Sequence, residues 1–504
     1  MGSTENKKES SDRVSVVGCQ SQLEGKSEAR ELDGMHLKKR FSLMSMVAFG
    51  FTTMNSWVAF ASGLAVPLVC GGGPVLIYGL LVSGVVTCTI AAGFAELASA
   101  FPSAGGQYHI VFMVFPPKTR HVAAFFTGWT SVVFIMAATA SCSFFVCELV
   151  LNLITLWIES YVLEAWHVYL LHVLLCGVAF VSTSRFPDAI GRIGIVALWL
   201  SIAGFIASLA TLLAISETKQ SSTAVFTNFQ NVSGWGDGWA AVIGIASCLW
   251  AYCGMDAPTH ISEEVPNPSR NVPIAICITL GLGIVTVVAW NISLLFVVPD
   301  ILALIESGIP ILGVYEVALN SKVATTIWAV YYIVLFYNIV LNLFIFSGRM
   351  IWSLSRDGGI PYSSYFSQLR WASPIRATAI MLVLQILVGL LYIASKTAYS
   401  SFVGLTLFAL NITLTLPQAA LLFGSRESLP RRAFSLGRFG YAINALATLF
   451  GVFFNIVLAF PISYPVTGTS MNYLIVVFAI GLVVTIYAWF SGVGKRFTGP
   501  QLNQ

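Results

Sequence analysis

Twelve times along its 504 residues the chain runs through a stretch of about 20 or more predominantly apolar residues, the length an α-helix needs to cross a bilayer. The stretches fall near 43–70, 74–100, 121–154, 166–184, 191–216, 239–262, 272–298, 322–353, 376–395, 399–424, 437–462 and 470–494. In lipid every backbone amide needs a partner within the protein, and a helix supplies it from its own segment. With 57% hydrophobic and only 10% charged residues, against roughly 45–50% apolar residues in a soluble domain, water is not the main solvent. The 13% aromatic residues and 42 glycines suit close-packed spans with interfacial Trp and Tyr. The expected fold class is an all-α integral membrane protein of twelve transmembrane helices.

Residues 1–40 contain "ENKKESSDR" and "LEGKSEARELDGMHLKKR", mixed in charge and without an apolar run. They read as a disordered tail and not as a cleavable signal peptide. Positive loops stay cytoplasmic. With the tail inside, that side holds Lys38, Lys39, Arg40, Lys118, Arg120, Arg185, Arg192, Arg270, Arg349, Arg356, Arg370, Arg376, Arg426, Arg431, Arg432, Arg438, Lys495 and Arg496. The outside receives only Lys219, Lys322 and Lys396. This bias predicts both termini in the cytoplasm, a membrane domain over 41–495 and a short second tail over 496–504. The basic residues are scattered without a stripe, so the net charge of +4 implies no nucleic-acid partner. Seven of the nine cysteines lie inside predicted spans, Cys70 at the end of the first and Cys19 in the tail, and they read as small packing residues, not disulfides. The sequon "NVS" places a potential glycan on Asn231 in the outer loop before the sixth span.

Two spans are interrupted in similar ways. The first carries a polar knot, Thr52-Thr53-Met54-Asn55-Ser56-Trp57, in mid-membrane; the sixth runs "SCLWAYCGMDAPTHISEEVPNP". For either alone a structural kink is an equal explanation, since Gly and Pro are common in membrane helices and Ser, Thr and Asn often only bond between helices. They lie five spans apart, however, so each can begin one of two repeats of opposite topology, about 43–216 and 239–424, followed by extra helices over 437–494. Paired discontinuous helices of that kind expose main-chain groups to a substrate at the bilayer midplane.

An acid in a span costs about 2.5–3.5 kcal/mol at a helix centre and is a functional hypothesis by default. Asp256, beside the second break, is placed to hold a proton, pair with a cationic solute or orient the unwound segment. His260 follows four positions later; a proton relay and a hydrogen-bonded structural role both remain open. Glu148, toward the outer end of the third span, reads as a gate or vestibule group, and Glu96 as an anchor of an inner loop. Tyr331, Tyr332, Phe336 and Tyr337 in the eighth span, with Trp57, Trp250 and Tyr252, supply rings for an ammonium cage, although packing alone would also explain them.

"FAELASAFPSAGGQYHI", "YCGMDAPTHISEEVPNPSRNVP" and "SRDGGIP", in that order, resemble the amino acid–polyamine–organocation transporters, and more narrowly the fungal amino acid, GABA and choline permeases. The resemblance covers roughly residues 40–495. It implies a leucine-transporter-like fold of two inverted five-helix repeats plus two C-terminal helices, working by alternating access. Carried over, Met54-Asn55-Ser56-Trp57 falls where the unwound first helix receives the substrate carboxylate or its equivalent. Trp250-Ala251-Tyr252-Cys253-Gly254 falls where the broken sixth helix covers the amine end and gates the outside. Many bacterial relatives have Gly-Ser-Gly in the first helix; here bulky Asn55 and Trp57 flank Ser56, which favours a ligand held by aromatic faces. Glu263, Glu264 and Arg270 resemble the family's inner corner, where a gate pair with Arg349 or Arg356 is the functional reading and loop anchoring the plain one. Beyond Thr325-Thr326 at its outer start, the eighth span has no adjacent Ser/Thr pair such as sodium-coupled relatives use, which leaves proton coupling or facilitated diffusion.

The expectation is a plasma-membrane permease importing a small amine-bearing solute such as an amino acid, GABA or choline, with protons as coupling ion and neither cofactor nor metal. A facilitative exporter of an amine metabolite and a transporter-like sensor without flux are the alternatives. A membrane metalloenzyme would need closely spaced His, Asp or Glu clusters, and apart from His121 at the edge of the third stretch the spans offer only His167, His172 and His260 with no HxxxH.

Overall fold

The structure, a computed structural model, describes residues 41–500 except 159, 187–188, 216–218, 299, 301–303, 305–308, 372, 395, 425 and 469. The predicted tail over 1–40 and the last residues of the tail over 496–504 lie outside the described residues. Among these, twelve helices are long and apolar enough to cross a membrane. They are Leu43–Ser62, Ala65–Ala100, Arg120–Trp157, Ala165–Arg185, Gly191–Ile215, Asp237–Glu264, Pro268–Val297, Lys322–Arg356, Ile375–Ala394, Ser401–Phe423, Gly437–Leu458 and Leu474–Arg496, the first to twelfth spans below.

Each coincides with a predicted stretch, but one boundary moves. The expected gap at Gly71-Gly72-Gly73 is a kink inside the second span, and the chain turns instead near Gly63. Gly72 takes a positive φ of 68°, open to glycine at little steric cost. The carbonyls released there are not left dry: Val69 O accepts from Val232 N at 2.9 Å and Gly71 O from Gln230 N at 3.3 Å, so the segment before the sixth span patches the kink.

Burial separates inner from outer helices. In the first span 89% of the apolar window is buried inside the protein, against 17% in the twelfth, so the first is a central element and the twelfth is left to lipid. The first span packs on the fifth, seventh and eighth, and also on the inner half of the sixth. That crossing is tight because Gly50 has no side chain; a Cβ there would meet Pro258 Cγ at 2.8 Å and Thr279 Oγ1 at 2.7 Å.

Between the second and third spans the chain makes a turn over Ser103–Gly106 and a short helix, Gln107–Val114, on the same side as Lys118, Arg120, Arg349 and Arg356. That side is called the basic face here.

Candidate functional site

The first span breaks at Asn55. Its φ of 31° and ψ of 57° are left-handed, ending one helix at Met54 and starting the next at Ser56. Asparagine tolerates this conformation better than other non-glycine residues. Ahead of the break Thr52 and Thr53 donate back to Ala48 O at 2.7 Å and Phe49 O at 2.6 Å, a pattern that bends helices. Two side chains then pin the knot through three hydrogen bonds. Ser201 of the fifth span donates to Asn55 Oδ1 at 2.7 Å and accepts from Trp57 Nε1 at 3.0 Å, and Asn342 of the eighth donates to Thr52 Oγ1 at 2.9 Å.

The sixth span is α-helical over Asp237–Cys248 and tightens to a 3₁₀ turn over Leu249–Tyr252. It unwinds at Cys253 and at Gly254, whose φ is 90°. The helix then resumes over Ala257–Glu264, again as 3₁₀. Trp250 Nε1 donates to Ser62 Oγ at 3.0 Å, joining the sixth span to the first beyond both breaks.

The two breaks meet at one narrow cavity. Thr53, Met54 and Ala59 line it from the first span and Trp250, Cys253 and Gly254 from the sixth. Phe134, Ala138 and Cys142 of the third and Ile339 and Leu343 of the eighth complete the wall. No carboxylate, guanidinium, ammonium or imidazole lines it. A solute there meets apolar surface, two aromatic rings and the residues of both breaks.

The expected aromatic residues do not form a single box. Trp57 packs against Tyr332 at 5.5 Å and Trp290 at 6.1 Å, behind the first span. Tyr252 donates to Leu80 O of the second span at 2.8 Å. Tyr331 donates to Leu200 O and Tyr337 to Leu175 O, while Phe336 packs on Phe145. Of these rings, only Trp250 lines the cavity. Asn55, Ser56 and Ala251 are fully buried next to the breaks without lining it.

Toward the basic face the cavity is covered by a buried polar network. Gln107 Nε2 donates to Asp256 Oδ2 at 2.5 Å, and His260 Nε2 lies 3.6 Å from that oxygen. His260 Nδ1 donates to Ala104 O at 3.0 Å, and the ring stacks on Phe346 with centroids 4.0 Å apart. Gly106 presses on its other side, where a Cβ would meet His260 Cε1 at 2.5 Å. Next come two ion pairs, Glu264 with Arg349 Nε at 2.7 Å and Glu263 with Arg356 Nη1 at 3.1 Å. Glu263 Oε1 also accepts from Ala104 N at 3.1 Å. Tyr108 donates to Asp357 Oδ2 at 2.9 Å. Burial pushes the Asp357 carboxyl up to about 6 despite nearby Arg356, and pushes the His109 imidazole down to about 4.

The other expected residues lie outside this network. Arg270 is exposed at the start of the seventh span, and Glu148 is half-buried on the third. Glu96 is fully buried and holds Arg426 and Arg432, tying the second span to the segment between the tenth and eleventh. Asn231 Nδ2 donates to Trp235 O at 2.7 Å and to Asp237 Oδ1 at 2.9 Å. Among the described residues no group of three His, Cys, Asp or Glu is placed to hold a metal.

Sequence reasoning missed Ser201, Asn342, Gln107 and the third-span wall. Gln107 stands within the "FPSAGGQYHI" stretch, which was a usable signal; Phe134, Ala138 and Cys142 sit in a helix apolar all round and gave none.

A family model described as "Amino acid permease" matches residues 41–482. The chain is 30% identical over 473 residues to a choline transporter of Saccharomyces cerevisiae, covering 92% of this chain and 83% of that one. It is 29% identical to a putative amino acid/polyamine transporter of Macrophomina phaseolina, over 85% of this chain and 96% of the relative. A swainsonine transporter of Arthroderma benhamiae is 25% identical over 97% and 98% of the two chains. Among solved structures, Mhp1, a nucleobase-cation-symport-1 family transporter in a closed conformation with bromovinylhydantoin bound, superposes with a TM-score of 0.53. That match covers 93% of this chain and 97% of the other at 11% identity, and carries the leucine-transporter-like architecture alone.

Proposed function

The chain belongs to the amino acid permease family, and from that premise we propose that it imports a small amine-bearing solute across the plasma membrane by proton-coupled alternating access. It is a multi-pass membrane protein and a secondary transporter, not an enzyme. The finer reading rests on one observation: the interruptions of the first and sixth spans, 200 residues apart, line the same cavity through Thr53, Met54, Cys253 and Gly254. Irregular backbone at that depth is tolerated where it lines a cavity or is buried in protein, and paired interruptions of this kind mark the solute site of transporters built on inverted repeats.

The wall narrows the solute class. With no ionisable side chain in the lining, a charged head group has only main-chain dipoles and the rings of Trp250 and Phe134 to meet it. A cation over an aromatic face gains up to about 2 kcal/mol when desolvated, whereas an anion gains nothing there. The choline and amino acid/polyamine transporters among the relatives support an amine on independent grounds. Lys and Arg bias makes the basic face the cytoplasmic one.

The test is uptake in cells stripped of their own amino acid, GABA and choline permeases. Saturable accumulation of at least one labelled amine, unaffected by exchanging sodium for potassium and lost on collapse of the proton gradient, is expected. Failure to take up any amine sinks the solute class; a ligand response without flux makes the chain a sensor.

A further inference from the structure

We propose that the closed basic face holds one proton shared between Asp256 and His260, and that this proton fastens the Ser103–Gln107 loop over the cavity. The inference rests on the proton-coupled reading above and names its site.

Hydrogen-bond accounting carries it. His260 Nδ1 faces Ala104 O at 3.0 Å, and a carbonyl oxygen only accepts, so Nδ1 bears a hydrogen. In a neutral imidazole Nε2 is then a bare acceptor, yet it faces another acceptor, Asp256 Oδ2, at 3.6 Å. Both residues are completely buried, and neither His260 Nε2 nor Asp256 Oδ1 has a hydrogen-bond partner. An ionised carboxylate beside a neutral imidazole would leave acceptor against acceptor in a dry place, a costly arrangement. One added proton resolves it: the imidazolium donates to the carboxylate, or the carboxyl donates to the imidazole. The proton belongs to the pair and not to either member.

The charged neighbours are otherwise engaged. On the same element Glu263 and Glu264 are paired with Arg356 and Arg349 of the eighth span. Arg356 also lies 3.7 Å from Asp357, which accepts from Tyr108. His109 sits beyond the loop near Glu263 and Arg356. The first span has no ionisable residue, and the seventh has only Arg270 and Cys277, both exposed.

The loop is what keeps the pair dry. Ala104 O fixes the tautomer, Gln107 holds the carboxylate, and Gly106, at a φ of 55°, lets the main chain lie on the imidazole. When the loop lifts, both positioning contacts leave with it, water reaches Asp256 and His260, and the proton departs to the basic face. Gly254, two residues from Asp256, lines the cavity, so the proton arrives from the cavity side. One proton taken up there and one released to the cytoplasm make each closing and opening a unit of inward proton movement.

The test reads loop opening without a solute. Ser103, 3% exposed, is replaced by Cys in the full-length chain, and its labelling by a membrane-impermeant maleimide is followed in inside-out vesicles, with the parent chain as background. Expressed relative to the same chain unfolded in denaturant at the same pH, so that the pH dependence of the thiolate fraction cancels, labelling is expected to be several-fold faster at about pH 8 than at about pH 5. The response should survive Asp357→Asn and, in that Asp357→Asn background, disappear on adding either Asp256→Asn or His260→Gln. His260→Gln keeps an amide to donate to Ala104 O, so it serves if the aspartate variant misfolds. Labelling independent of pH in the parent, or an unchanged response in either folded variant, overturns the proposal. Proton-driven uptake together with pH-independent labelling would defeat only this inference; uptake indifferent to the proton gradient defeats the coupling reading itself.

Discussion

Arg349 donates to Glu264 at 2.7 Å across 85 residues of sequence, with the arginine side chain 2% exposed and the glutamate 0%. Its neighbour, Glu263 with Arg356, is 23% and 26% exposed. Two ion pairs of the same type on the same elements thus sit in different dielectrics.

Removing one partner should therefore have unequal consequences. Glu264→Gln strands a buried guanidinium and is expected to cost about 3–5 kcal/mol, with Glu264→Met/Arg349→Met together recovering most of it. Glu263→Gln should cost at most about 1 kcal/mol, because its pair is partly hydrated. Thermal unfolding of fluorescently tagged protein in detergent ranks the variants; equal losses at Glu263 and Glu264 would contradict the burial argument.

Asn55 supplies the second case. Asn55→Gly keeps the left-handed backbone and loses only the acceptor for Ser201, a cost of about 1 kcal/mol. Asn55→Val puts a β-branched side chain at a φ of 31° and adds about 1–3 kcal/mol of strain. Surface delivery and melting temperature should fall in the order wild type, Gly, Val. A Val variant as stable as the Gly variant would mean that the break is not held at Asn55.

Asp357 gives a pH dependence with a definite sign. Burial raises its carboxyl from 3.8 to about 6, so the closed basic face binds this proton more tightly than a solvated chain does. Its contribution to the closed form is greatest below about pH 4, declines as pH rises from 4 to 6, and is level above that. Asp357→Asn should flatten that portion of the melting profile. Stability rising with pH over the same interval in wild type, and not in the variant, would reverse the assignment.

Much of the architecture was legible because lipid leaves few choices. A run of about twenty apolar residues is a span wherever it occurs, and a polar knot such as Thr52–Trp57 or an acid such as Asp256 stands out against it. Acids and arginines on one side were also readable as partners, and Glu263 and Glu264 do pair with Arg356 and Arg349. Rotation about each helix axis was not. A lipid-facing and a core-facing side chain are equally apolar, so nothing in the composition separates Trp250, in the cavity, from Tyr252, two residues on and bonded to Leu80. The wall from Phe134, Ala138 and Cys142 was invisible for the same reason. Gln107 needed a fold in which a loop doubles back onto the sixth span.

The inner half of the sixth span, Ala257–Glu264, is wound with three residues per turn instead of 3.6. A 3₁₀ helix rises about 2.0 Å per residue and an α-helix about 1.5 Å, so these eight residues are about 4 Å longer than the same segment in α form. The segment is in effect a drawn spring with Glu263 and Glu264 at its tip. Relaxing it to α-helix would pull those carboxylates back by more than the 2.7 and 3.1 Å that join them to Arg349 and Arg356. A change of winding, with no hinge and no swing of a whole helix, would be stroke enough to part both ion pairs.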